Sequence, residues 1–444
     1  MLDFRDFVLY DQARISSGWW LIMSSIASLL RQLEAERIDT VQLQFTDLMG
    51  AVKVVSIPSS RLPDVLGRGV GFDGSSVEGF AREEESDMRL VPDLATACTW
   101  PSDFSERALR IICDVVLPDG VPFAGDPRRI LARAAERARA AGAPEMAVSA
   151  ELEFFLLPQD ERLEDAHLGD PARYFDALSS DIAARCLRSM AGGLTEAGVP
   201  VTQIHHEAAP HQYEINLTAL PPLCAADAVV TAKLVIRREA ARFGFTASFM
   251  PKPFTDHPGS GLHLTFAPAG ETADVARCAA FAAGILAHAR GLSAIANPTV
   301  NSYKRLGGSE APGFVGWSDH HPAPYLRAVG SAWEWRAPDA SANPYLAIAC
   351  ALVAGADGIE QALPLPDRLD ERPEMWSEEQ RFLRHVAALP ETLRDALDAL
   401  EQDDCLQAAL GDHAMRHFLE AKRLEWAAYA RTVHVWEREQ YLTL

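Results

Sequence analysis

The chain has 444 residues, 48% hydrophobic and 23% charged, with a formal net charge of −21 at pH 7. That length leaves room for two or three domains, and the balance is that of a soluble globular protein. So acidic a chain argues against nucleic acid as a partner, because phosphate binding needs basic surface. It also requires local arginine, lysine or metal charge wherever an anionic substrate is to bind.

At the N-terminus an apolar run from Gly18 to Leu30 is too short to span a bilayer and lacks the basic flank of a signal peptide. No membrane partner is expected, and residues 23–37 are predicted to form an amphipathic first helix. Residues 38–58 alternate apolar and polar side chains on either side of a turn containing Asp47 and Gly50, which predicts a hairpin. A loop at 71–80, the acidic run Glu83-Glu84-Glu85 and a strand at 109–116 follow. A small β-rich N-terminal domain is therefore expected over 22–124.

Asp126-Pro127 then supplies an N-cap and a proline at the first helical position, predicting a helix over 127–141. It opens a second domain, 125–444. Apolar strands at 147–157 and 212–217 are separated by predicted helices at 180–197, 224–243, 272–296 and 343–362, with a charged helical tail over 377–440. Stretches of strand and helix without strict alternation predict an α+β fold. Seven cysteines, at 98, 113, 186, 224, 278, 350 and 405, form no CxxC pair. They are expected to be reduced thiols in a cytoplasmic protein, and their spacing speaks against thiolate-bound zinc.

Four short patterns carry chemistry. In AELEFF (150–155), Glu151 and Glu153 lie two apart on a predicted strand and share one face. Burying two like charges side by side is costly unless a cation neutralises them. HHEAAPHQYEI (205–215) adds Glu207 and Glu214, which alone would be surface residues; His205 and His206 are left unassigned. PGSGLH (258–263) leads through glycines that permit close main-chain approach to His263. WEWR (333–336) places Glu334 and Arg336 on one strand face. Five glutamates and one histidine are a donor set for two hard divalent cations such as Mg²⁺ or Mn²⁺. Arg305 and Arg336 can hold a carboxylate bidentately.

Together with FDGSSVEGF, ESDMRLVPD, FMPKPF, NPTVNSYKRL, EAP and ANPYL, these patterns resemble the glutamine synthetase family, including its γ-glutamyl-amide ligase relatives, over most of the chain. The resemblance implies a β-grasp-like N-terminal domain and a catalytic domain with a curved antiparallel half-barrel sheet backed by helices. It implies ATP-dependent joining of the γ-carboxylate of glutamate to ammonia or a small amine through γ-glutamyl phosphate. Glu153, Glu207 and Glu214 would bind one metal, and Glu151, His263 and Glu334 the second. Arg305, Arg336 and the Gly259 backbone would hold glutamate, Glu310 would be the flap acid, and Arg327 is the retained nucleotide-side arginine. Asp47 would serve the neighbouring subunit's site, where Tyr174 matches a pocket tyrosine, within a homo-oligomer of hexamer or dodecamer rings.

The pattern departs from the family at Thr265, Ala267, Ala332 and His320-His321-Pro322, and in a shortened flap at Gly307-Gly308-Ser309. These departures leave room for a non-ammonia amine. They also admit a rival expectation, a catalytically silent oligomer that senses glutamate, glutamine or nucleotide.

Overall fold

A computed structural model describes residues 26–77, 79, 87–100, 107–159, 170, 172–177, 181–270, 274–308, 310–320 and 323–444. The acidic run 83–85, Ser309, His321 and Pro322 lie outside the described residues, as does the chain before Ile26.

The N-terminal sheet contains β1 (Thr40–Thr46), β2 (Val52–Pro58), β3 (Val70–Asp73), β4 (Asp87–Pro92), β5 (Cys98–Thr99) and β6 (Ala108–Val116). Its order is β2-β1-β6-β4-β3, with β5 paired to β6. The expected hairpin is present, and β1 also pairs in parallel with β6. Period-two burial along β4 puts Met88 and Leu90 inside. They join Leu43, Leu109, Ile111 and Val115, and Leu29 and Leu33 of the helix Ile26–Glu36, in a separate small core.

The second sheet contains β7 (Met146–Pro158), β8 (Val201–His206), β9 (Gln212–Leu220), β10 (Phe245–Ser248), β11 (Leu262–Pro268), β12 (Trp317–Ser318), β13 (Leu326–Val329) and β14 (Ala332–Trp335). Its order is β12-β13-β14-β11-β7-β9-β8, with β10 also on β7. This is the curled half-barrel sheet of an α+β fold. One face, carrying Leu152, Phe154, Ile215, Leu264 and Trp335, belongs to the main core. Helices Pro127–Ala140, Pro222–Arg242, Val275–Ala287 and Pro344–Glu360 contribute to that core from behind. The other face of the sheet is left for polar chemistry.

Arg128 ties the first sheet to the helix Pro222–Arg242 behind the second. Its guanidinium reaches Asp93 at 2.6 Å, Asp114 at 2.7 Å and Asp227 at 3.1 Å. Asp126 caps the helix that carries it, accepting from the Arg128 N–H, and also accepts from Val115 N–H of β6.

Two helical expectations are corrected in detail. The predicted helix 272–296 is two helices, Val275–Ala287 and Ala289–Ala296, bent by 74° at His288. The tail is five helices from Glu378 to Tyr441, four of them short and one, Asp412–Arg431, of 20 residues, and its Leu393, Leu397, Leu406, Leu410 and Phe418 are buried in the main core. No single described helix is long and apolar enough to cross a membrane.

Candidate active site

β7 runs through the middle of the second sheet, and its residues alternate between the apolar core and the opposite face. Register then assembles the site. Glu151 pairs with His263 of β11, and Glu153 with Glu214 of β9. Glu214 faces His205 of β8 on its other side, while Thr265 faces Glu334 of β14. Because side chains two apart share a face, these strands deliver their polar groups to one concave surface.

His263 lies at the centre. Its Nδ1 is 3.3 Å from a Glu151 oxygen and 3.7 Å from Glu334, and its Nε2 is 3.7 Å from Glu153. At the other end His205 Nε2 is 3.1 Å from Glu214, and His205 Nδ1 is 3.4 Å from Glu207. Glu207 is brought in by the tight β8–β9 connection, where its N–H donates to the Gln212 carbonyl at 2.8 Å. His211, at φ 58°, helps turn that connection.

The electrostatics fit a cation. Burial, reinforced by neighbouring carboxylates, pushes Glu151 up and Glu207 up to about 9. Glu214 is also raised by burial, against the hydrogen bond from His205. Burial holds His263 down to about 3, leaving a neutral imidazole. His263 is 3% exposed, and its Nε2 has no hydrogen-bond partner. Clustered carboxylates that resist ionisation, beside a neutral ring with a free nitrogen, are the donor set of a hard divalent ion.

Next to this cluster a recess is lined by Glu153, Lys252, Pro258, Gly259, Arg305, Gly308, Glu310 and Ala311. Arg305 is buried and fixed by the carbonyls of Ala337 at 2.9 Å and Arg336 at 3.2 Å. Glycine is required at the mouth. A Cβ on Gly259 would stand 2.1 Å from the Pro251 carbonyl oxygen, and one on Gly261 2.7 Å from both Arg305 Nη2 and His263 Nε2. Glu153 joins the recess to the cluster, accepting the Gly261 N–H at 2.7 Å. Gln212 donates to the Gly259 carbonyl at 3.0 Å and lies 3.5 Å from Glu153. Glu310 is exposed at the rim, and its carboxyl is pushed up by partial burial and by Glu153.

On the β14 side, Glu334 forms an ion pair with Arg336, and Arg327 stands 3.5 Å from its other oxygen with the guanidinium half exposed. Among the departures from the expected pattern, Thr265 and Ala332 are buried, and His320 is an exposed partner of Asp319 at 2.6 Å. Tyr174 lies at the opposite edge. Its ring centroid is 4.1 Å from Phe175 and 5.8 Å from His205. Burial and the charges of Glu207 and Glu214 push its hydroxyl up to about 12.

The structure thus brings Glu151, Glu153, Glu207, Glu214, His263 and Glu334 onto one surface, with Gly259, Arg305, Arg327, Arg336, Glu310 and Tyr174 around it. Asp47 stands elsewhere in the chain. It accepts the Ala51 N–H at 2.8 Å, pairs with Lys53 at 3.1 Å, and receives Asn343 Nδ2 on its carbonyl at 3.2 Å. Sequence reasoning left His205 unassigned, although it precedes Glu207 by the same period of two that linked Glu151 to Glu153. It also passed over Gln212 and Lys252, although they lie within HHEAAPHQYEI and FMPKPF, two of the patterns that carry the resemblance.

Both halves of the chain match domains of known proteins. Residues 37–118 match the glutamine synthetase β-grasp domain, and residues 124–441 match the glutamine synthetase catalytic domain. A glutamine synthetase of Thermus thermophilus is 41% identical over 438 residues, covering 94% of this chain and 98% of that protein. One from Staphylococcus epidermidis is 39% identical over 428 residues, covering 92% and 96%. A solved GmaS/ADP complex superposes with a TM-score of 0.82 at 29% identity, covering 94% of this chain and 99% of that one.

Proposed function

The chain belongs to the glutamine synthetase family, and from that premise we propose that it is an ATP-dependent carboxylate–amine ligase joining the γ-carboxylate of glutamate to ammonia or a small amine. The observation that carries this reading is the adjacency of an acid–imidazole cluster to a recess with a buried arginine, the two sharing Glu153. One part is built for cations and polyphosphate, the other for an amino-acid carboxylate.

In the proposed reaction an oxygen of the glutamate γ-carboxylate attacks the γ-phosphorus of ATP, and ADP leaves. The amine nitrogen then attacks the acyl carbon, inorganic phosphate departs, and the proton lost from nitrogen passes to a carboxylate. Arg305, Arg336 and the Gly259 backbone hold glutamate. Arg327, half exposed beside Glu334, meets charge on the transferring phosphoryl group. Glu310, at the rim and held above the usual carboxylate range, takes the amine proton and closes the site against water, which would hydrolyse the acyl phosphate. Glu153, Glu207 and Glu214 would hold one Mg²⁺ or Mn²⁺ ion, and Glu151, His263 and Glu334 another. Bound there, such ions neutralise phosphate charge and polarise the reacting oxygens. The ADP in a related solved structure supports the nucleotide assignment.

A small organic amine is favoured over ammonia. Tyr174 and Phe175 are 54% and 60% exposed beside the Glu207–Glu214 end of the cluster, where an aromatic pair can shelter an alkyl group and its ammonium. Asp47 would act on a neighbouring subunit's site in a homo-oligomer of hexamer or dodecamer rings, a role that fits its bonds to Ala51, Lys53 and Asn343 and to none of the cluster residues in its own chain. All seven cysteines are free thiols, which suits a reducing cytoplasm.

ADP release measured with ATP, glutamate and a panel of amines, in Mg²⁺ and Mn²⁺ separately, tests the reading. Turnover should require all three substrates. Tight ligand binding with no turnover under any combination would identify a silent sensor instead.

A further inference from the structure

Away from the acid–imidazole cluster, a cleft of about 710 Å³ opens between the bent pair of helices and the tail. His288 stands in its wall at the elbow between Val275–Ala287 and Ala289–Ala296. Its Nδ1 is 2.7 Å from Asp403 Oδ2, and its Nε2 is 3.1 Å from Asp357 Oδ2. A ligand nitrogen of His288, a carboxylate oxygen of Asp403 and Cys405 Sγ lie within 4.8 Å of one another.

Three features make this more than an ion pair. First, the groups are placed by separate rigid elements. Gly284 and Gly358 let the helices Val275–Ala287 and Pro344–Glu360 cross so closely that a Cβ on either would strike backbone at 2.1–2.2 Å, and this crossing fixes Asp357 opposite His288. Second, Asp403 divides its oxygens. Oδ1 accepts the Leu406 N–H at 3.0 Å as the cap of helix Asp404–Leu410, so Oδ2 alone faces the cleft group. Gly291 keeps that oxygen reachable, because a Cβ there would stand 3.1 Å from it. Third, Asp357 Oδ2 accepts Gln361 Nε2 at 2.6 Å while it faces His288 Nε2. A carboxylate on the far nitrogen of an imidazole is the arrangement that orients metal-ligating histidines.

We propose that His288, Asp403 and Cys405 bind a zinc-class divalent cation, with Asp357 as the group that orients the imidazole. Imidazole nitrogen, carboxylate oxygen and thiolate sulfur are a borderline-soft donor set that suits Zn²⁺ or Co²⁺ and not Mg²⁺. Binding releases the thiol proton and the proton on Nδ1, and water completes the coordination. The cysteine spacing in the sequence spoke against thiolate-bound zinc, and local spacing could not show this site, because Cys405 meets a histidine far along the chain.

Cobalt tests the site without interference from the carboxylate-rich cluster, which contains no sulfur. The full-length protein, stripped with a chelator and then saturated with Mg²⁺, is titrated with Co²⁺. A near-ultraviolet thiolate-to-cobalt band should grow to one equivalent per chain. Cys405→Ser should abolish it, and Cys224→Ala should leave it unchanged. Asp357→Asn should keep the band but weaken cobalt binding by about 10–100-fold. Absence of any band would overturn the proposal and leave an ion pair only. So would a band that survives Cys405→Ser. Ligase turnover, measured alongside in Mg²⁺, is a separate readout whose failure bears on the active site alone.

Discussion

Glu153 is where two kinds of chemistry meet. One oxygen stands 3.7 Å from His263, the other accepts the Gly261 N–H, and the residue lies opposite Glu214 in the sheet. Glu153→Gln should weaken Mn²⁺ binding by roughly 100-fold or more, beyond the ~10–100-fold typical of an outer-shell change. Calorimetry would show it, with ATP turnover falling in parallel. Gln212→Ala, which removes only the outer support, should cost about tenfold. Arg305→Lys keeps the charge but loses the planar fork. The expected result is a glutamate KM raised about tenfold or more, with the ATP KM little changed.

The raised carboxylates also set a pH dependence. Between the ordinary glutamate value of 4.5 and the raised value near 9 for Glu207, the folded chain binds more protons than the unfolded chain. Stability therefore falls as pH rises through that window. His263, held down to about 3 from 6.5, opposes this only below pH 6.5. The melting temperature of chelator-treated protein should therefore drop between pH 6.5 and 9, and saturating Mn²⁺ should flatten the slope. Equal slopes with and without the ion would contradict the account. Glu151 and Glu153 were legible in the sequence because a period of two on an apolar strand puts them on one face, whereas Glu207 and Glu214 read as surface residues until the other patterns were set beside them. Gln212 and Lys252 stood inside quoted patterns without a role, because their contacts to the Gly259 loop and the recess exist only in the folded chain.

At the scale of elements, register does most of the positioning. Leu152, Leu262 and Leu264 point into the core while Glu151, Glu153 and His263 point out of it. Burial of the first set therefore fixes the second, since a slip of one residue would exchange the two faces. Gly261 sits where the loop enters β11. Gly261→Ala should reduce activity by at least about tenfold, because a Cβ 2.7 Å from His263 Nε2 and Arg305 Nη2 must displace one of them, and even a 1 Å misplacement can cost about a hundredfold. Circular dichroism should remain that of the parent. The strands and the Asp126-Pro127 helix start were legible from alternation and capping. The bend at His288 was not, because neither flanking glycine, Gly284 nor Gly291, stands at the break itself; the His288 contacts to Asp357 and Asp403 exist only after the helices have packed.

At the scale of the whole molecule, the two hydrophobic cores are joined by a polar knot. Arg128 bonds aspartates of the first sheet region, Asp93 and Asp114, and Asp227 of the helix Pro222–Arg242. Tyr345 also donates to Asp227 at 2.6 Å. Removing one partner from a buried charge network leaves the others uncompensated, at a cost of roughly 3–5 kcal/mol. Arg128→Met should lower stability by that order in urea unfolding and loosen the N-terminal sheet before the catalytic sheet, as hydrogen exchange would show. The sequence announced both sheets but not this joint, whose members are spread from Asp93 to Tyr345.

The central claim is that glutamate is activated as an acyl phosphate before the amine arrives. Glutamate labelled with oxygen-18 in its γ-carboxylate, incubated with ATP, Mg²⁺ and the best amine, tests it most directly. One labelled oxygen should appear in each inorganic phosphate released, with one amide formed per ADP. Phosphate carrying no label from glutamate would contradict the account.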